Sequence, residues 1–235
     1  MLAVSQMNAA SISELFIDAG SGNTADILVD TIGAVTCSGA GCGGLTIPSA
    51  ITPHGSLMVT GAIGNFDITT IAGVGGLGVI PPALLNLTQN EARTAGAGDL
   101  LVKYSDTDFC LGGGPCWGGK FNVAVQSNPD FALSASTLTG AALADSANTL
   151  LGGAPIDGPF TLTGVDTHVS TVNNPFGSGS GGSLSAITQF HFSGAGHIQS
   201  SFTISSAGVP EPGTVGLLGI GAGMCLLGLW RKKRA

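Results

Sequence analysis

Apolar and polar side chains alternate along most of this chain. In Phe66-Asp67-Ile68-Thr69 and in Phe121-Asn122-Val123 every second side chain is apolar, the period of a strand with one buried face. Runs of this kind, or short apolar runs bounded by Gly, Pro, Asn or Ser, predict strands over 14–18, 27–32, 57–63, 65–71, 84–88, 99–106, 121–126, 131–137, 160–172, 184–192 and 201–205. In the last two, the two-residue period puts Phe190 and Phe192 on one face, as it does Phe202 and Ile204, with His191 and Thr203 turned the other way. The alanine-rich stretch 139–151 reads as a loop or a short helix, and the Gly/Ser-rich stretch 173–183 as a flexible loop. Many short strands separated by Gly/Pro turns predict an all-β body, a β-sandwich with a jelly-roll-like path.

The pattern changes after residue 206. Residues 214–230 carry no charged side chain and would span about 26 Å as a helix, enough for a thin hydrocarbon core. Trp230 falls at the interface position, and Arg231, Lys232, Lys233 and Arg234 follow at once. This predicts a single C-terminal transmembrane helix with a basic cytoplasmic end and the body outside the cytoplasm. Gly219 and Gly223 have the spacing of a helix-pairing motif. Before the helix, Pro210 and Pro212 hold the backbone extended around Glu211, a form that a protease can thread. The expected division is therefore 1–10, the end of a signal peptide or disordered; 11–206, the sandwich body; 207–213, a linker; 214–230, the membrane helix; and 231–235, the basic tail.

Val209, Pro210, Glu211 and Pro212, the apolar helix and the terminal basic cluster together resemble the PEP-CTERM sorting signal of Gram-negative bacteria, also described as an ice-binding protein C-terminal domain. The resemblance implies recognition by an exosortase, a membrane-embedded cysteine protease or transpeptidase. It implies too that the tail is an address, removed when the body is released or transferred to the cell surface or matrix. The body is also similar, in shorter motifs, to the domain common in such proteins: Gly64-Asn65-Phe66-Asp67-Ile68, Leu85-Asn86-Leu87 and Ser105-Asp106-Thr107-Asp108-Phe109. That likeness implies a β-sandwich and brings no catalytic residues.

Composition narrows the function. Charged residues make up only 9% of the 235, while Gly (39) and Pro (11) are abundant, which suits a secreted, matrix-like protein better than a cytosolic enzyme. The net charge of −7 hides a division: four of the seven basic residues lie in the tail, leaving Arg93, Lys103 and Lys120 against 14 acidic residues that all precede the apolar run, every one but Glu211 in the body. Such a body repels phosphate backbones, so no nucleic-acid partner is expected. Export requires a signal peptide, and Asn8-Ala9-Ala10 resembles only the end of one, so a longer leader is expected upstream.

Candidate chemistry is sparse. Cys37 and Cys42, and Cys110 and Cys116, form two close pairs in glycine-rich loops, with Cys225 in the apolar helix. Two local disulfides are the preferred reading; a four-cysteine zinc site and four idle thiols are the alternatives. No nucleophile elbow, zinc-protease, phosphate-loop or EF-hand motif is present. His54, His168, His191 and His197 are far apart; His191 and His197 read as two exposed or satisfied polar histidines, with a metal held between them across a hairpin as the alternative. Asp106 and Asp108 are weak calcium candidates; otherwise no metal and no cofactor are expected. Thr137/Thr139 and Thr161/Thr163 are local pairs without the repeat that an ice-binding array needs. The expected function is that of an exported, non-catalytic surface or matrix protein, associated with exopolysaccharide. The alternative is a carbohydrate-binding module stacking sugars on Trp117 or Tyr104.

Overall fold

The computed structural model describes residues 11–75, 84–109, 120–129, 136–173, 176 and 182–206. They form fourteen strands and one five-residue 3-10 helix, Ala40–Gly44. In chain order the strands are β1 (Ser11–Asp18), β2 (Thr24–Asp30), β3 (Val35–Ser38), β4 (Leu45–Thr46), β5 (Leu57–Ile63), β6 (Phe66–Gly75), β7 (Leu84–Thr94), β8 (Gly98–Phe109), β9 (Lys120–Pro129), β10 (Ser136–Asp145), β11 (Ala154–Thr163), β12 (Asp166–Asn173), β13 (Gly182–Phe192) and β14 (Gly196–Ser206).

They make two seven-stranded sheets in which every pairing is antiparallel. The first runs β11-β10-β13-β8-β1-β2-β3 and the second β12-β9-β14-β7-β6-β5-β4. The all-β sandwich expected from the alternation is thus present. Consecutive strands stay in one sheet from β1 to β3 and from β4 to β7. Beyond β7 the chain changes sheet at every step except β10 to β11.

The core is filled by one side of each strand. Leu15, Ile17, Ile27, Val102, Tyr104, Leu138, Phe190 and Phe192 of the first sheet meet Val59, Leu85, Leu87, Phe121, Val123, Phe202 and Ile204 of the second in one cluster. The alternation predicted for 184–192 and 201–205 is what buries both phenylalanine pairs. Residues 57–63 coincide with β5. Several other predicted bounds move. Residues 139–145 are not a loop or helix but part of β10, where Leu138, Ala142 and Ala144 alternate inward, while 146–151 form a loop as expected. Small alanines weaken a strand signal that packing on the core restores. Residues 160–172 are not one strand but two, β11 and β12, in different sheets, divided at Gly164 (φ 75°). The predicted strand 131–137 lies mostly outside the described residues. Strands β3 and β4 escaped notice because they are too short to show a period.

Cys37 and Cys42 form a disulfide with a Cα–Cα separation of 6.1 Å. It closes the 3-10 turn that carries the chain from one sheet to the other. Cys110, Cys116, Cys225 and the whole of 207–235, with the predicted transmembrane helix, lie outside the described residues. Among the described residues no helix is long and apolar enough to cross a membrane.

Candidate functional site

Strands β6, β7, β14 and β9 lie side by side in the second sheet, and their solvent faces are polar. Thr69 stands opposite Glu91, Glu91 opposite Gln199 and Gln199 opposite Asn128, one row across four strands. Beside it, Ser201 stands opposite Gln126. With Ser200 these side chains line an open groove of about 440 Å³. No aromatic ring lines it, and its hydrogen-bonding groups are amides, hydroxyls and one carboxylate. Strand β7 carries one extra residue next to Glu91, since its register breaks against both β6 and β14 there. A bulge of this kind re-aims side chains and bends the sheet. His197 Nε2 lies 2.8 Å from Glu91 Oε1 and fixes that carboxylate at the groove wall. Arg93 Nη2 is 4.0 Å from the same oxygen.

The sequence reading missed this groove. Its residues come from four separated segments, and only their shared outward phase, as in Gln126/Asn128 and Gln199/Ser201, marks them in advance.

A second polar cluster is buried between the sheets. Asp106, on the inner face of β8, is fully buried. Its Oδ1 accepts from His54 Nδ1 at 2.7 Å, and its Oδ2 from Ser13 Oγ at 2.8 Å and Tyr104 Oη at 3.3 Å. Burial pushes the Asp106 carboxyl up, while the hydrogen bonds from His54 and Ser13 pull it back. Tyr104 is pushed well up by burial and by the neighbouring Asp106 charge. Ser, His and Asp meet here, yet Asp106 is the centre. Ser13 Oγ donates to the carboxylate, whereas a nucleophile would hand its proton to the imidazole.

The two calcium candidates are engaged separately. Both Asp106 oxygens have protein donors, and Asp108 Oδ1 accepts from Asn148 Nδ2 at 2.8 Å. Among the described residues no group of three or more His, Cys, Asp or Glu side chains is placed to hold a metal. His191 and His197 do not meet, and each is a polar histidine satisfied by its own carboxylate. They sit on different sheets, His191 against Asp99 at 2.7 Å and His197 against Glu91. Tyr104 is 1% exposed and offers no platform for a sugar, which corrects that expectation; Trp117 lies outside the described residues. The threonines that look local in sequence do meet across strands, Thr137 opposite Thr163 and Thr139 opposite Thr161, as a four-residue patch on the first sheet.

The described residues thus define an all-β protein, a two-sheet antiparallel sandwich with a polar groove on one face. The chain carries the PEP-CTERM protein-sorting motif at residues 208–234, the signal of an exosortase substrate. That signal marks an exported protein, cell-surface or secreted. No curated protein matches the sequence.

Similar solved structures include a carbohydrate-binding module in complex with β-1,4-galactotriose (6% identity, 59% of this chain and 86% of that one, TM-score 0.31). Another comes from the carbohydrate-binding modules of the β-sandwich superfamily (8% identity, 84% of each chain, TM-score 0.31). A third is infectious bursal disease virus (10% identity, 88% of this chain and 71% of that one, TM-score 0.30). Scores this low carry no argument about what this chain binds.

Proposed function

We propose that this chain is a non-catalytic protein of the cell surface or extracellular matrix, associated with exopolysaccharide. In this reading an exosortase reads Val209, Pro210, Glu211 and Pro212, and the helix 214–230 holds the chain in the membrane until it is processed. The observation that carries the reading is the sorting motif at residues 208–234. The strand path, crossing between sheets at nearly every step after β7, agrees with a jelly roll, a common scaffold for extracellular binding. Mass spectrometry of the mature protein tests the delivery step. The expected product ends at or near Pro212; a mature chain that keeps Arg231 to Arg234 would make the tail a permanent anchor.

A second reading rests on the groove. Its amides, hydroxyls and single His-braced carboxylate suit a hydroxyl-rich polymer held by hydrogen bonds, without ring stacking. The acidic body, with only Arg93, Lys103 and Lys120 as cations, favours neutral over acidic polysaccharide. In pull-downs with insoluble neutral glucans and galactans, Gln126→Ala with Gln199→Ala is expected to lower retention at least tenfold. Equal retention of variant and parent would remove the groove from the function.

A further inference from the structure

Two open sheets have four edge strands, and three of these are protected. Strand β4 is two residues long. Strand β3 is four residues long, and the chain folds back over it through Val35 N to Ser49 O at 3.0 Å and the Ala34–Ala50 bridge. Strand β11 contains Pro155 and Pro159, which have no N–H to offer. Its register breaks twice against β10, and Asp157 turns toward β12 to meet His168 and Ser170. These are the devices by which sheets avoid edge-to-edge pairing.

Strand β12 shares only the Asp157 contact, made through its own His168 and Ser170. It runs for eight residues in unbroken register with β9, from Asp166 opposite Ser127 to Asn173 opposite Lys120. It contains no proline, lysine or arginine, and Asp166, at its first position, is its one carboxylate. Among the described residues no strand pairs with its other side. Val169, at its middle, is 68% exposed.

We propose that β12 is a self-association edge whose occupant is β12 of a second copy of this chain, paired antiparallel about a two-fold axis at Val169. Self-complementarity selects this occupant. In an antiparallel pair, opposed residues share a face, so Thr167, Val169 and Thr171, which face outward, must meet outward-facing residues of the other copy. Centring on Val169 sets Val169 against Val169 and Thr167 against Thr171, twice. These are β-branched and Thr–Thr pairs, both favourable across strands. No like charges stand opposite each other, because Asp166 falls against Val172. The two second sheets then join into one of fourteen strands, and the contact is isologous and closes on itself. The acidic bodies repel each other, so the dimer strengthens as salt rises.

The test uses the full chain in detergent micelles, with mass measured by light scattering after size exclusion. The parent chain is expected to be a dimer, more so at high salt, and Val169→Lys a monomer with an unchanged melting curve. Thr167→Cys and Thr171→Cys chains, mixed and oxidised, are expected to cross-link to each other. Neither cross-links to itself above the parent's background, because like residues then lie about 13 Å apart along the strands. A parent chain that stays monomeric at all salts, a Val169→Lys chain that still dimerises, or cysteine variants that cross-link to themselves as readily as to each other would each overturn the proposal.

Discussion

Glu14 and Asp26 stand diagonally across β1 and β2 on the solvent side of the first sheet, close enough to set a pH dependence. Burial, then the Asp26 charge and a hydrogen bond with it, push the Glu14 carboxyl up to about 7, with Lys103 opposing. One Asp26 oxygen is buried without a partner among the described residues. The unfolded chain releases the Glu14 proton near 4.5, whereas the folded chain keeps it to about 7. The native state therefore binds more protons across that window, and stability falls as pH rises through it. Glu14→Gln removes the proton exchange. Its melting temperature is expected to match the parent near pH 4.5 and to exceed it at pH 8. The gain should stay below about 1 kcal/mol, because the group is half exposed and screened by water. Burial pushes Asp106 up as well, but there three donors converge on the carboxyl, and His54 and Ser13 among them oppose the rise. Asp106→Ala strands Ser13 and Tyr104 in the interior and leaves partly buried His54 without its partner, at an expected cost of about 3 kcal/mol in urea unfolding. Tyr104→Phe removes only the longest of those bonds and should cost about 1 kcal/mol or less.

Strands with a clean period were legible in advance, and the reason is local. Phe121, Val123 and Val125 alternate with polar residues, and the inward set is the buried set. Strand β10 was not legible, because beyond Leu138 its core side is Gly140, Ala142 and Ala144, small residues, with Phe160 and Phe202 packed over Gly140. The Cys37–Cys42 pairing was legible from spacing, but not its place at the crossing between sheets. The groove was not legible at all, since rows across strands depend on register and register depends on tertiary pairing. The disulfide makes the point energetically. It closes a short loop, so its effect on the unfolded chain is modest, about 2 kcal/mol. Cys37→Ser is expected to lower unfolding free energy by about that much, measured against the parent under the same oxidising conditions. Loss of the same stability when the parent is reduced would attribute the effect to the bond and not to the serine.

At the scale of the whole chain, charge and architecture divide the labour. Nearly all the acidity lies in the body and four of seven basic residues in the last five positions, so body and tail favour opposite sides of a membrane. Among the described residues no helix is long and apolar enough to span a membrane, and in the function proposed above it is the tail that holds the chain at the membrane during sorting. The body's sandwich is complete without it: β14, the last described strand, ends at Ser206 and lies between β7 and β9, inside its sheet. Removing the tail should therefore leave folding intact while changing location. Two variants separate these effects. Replacing Pro210, Glu211 and Pro212 together with alanine removes the prolines expected to keep that segment extended but leaves the apolar run and basic cluster in the sequence. That chain is expected to accumulate, full length, in the membrane fraction. Replacing Arg231, Lys232, Lys233 and Arg234 with glutamine keeps the motif but removes the stop. That chain is expected to lose its fixed topology, with part of it reaching the medium unprocessed. Both should melt at the parent's temperature in detergent. Release of the alanine variant at the parent's rate, with the parent's C-terminus by mass spectrometry, would show that cleavage does not depend on the Pro-Glu-Pro segment.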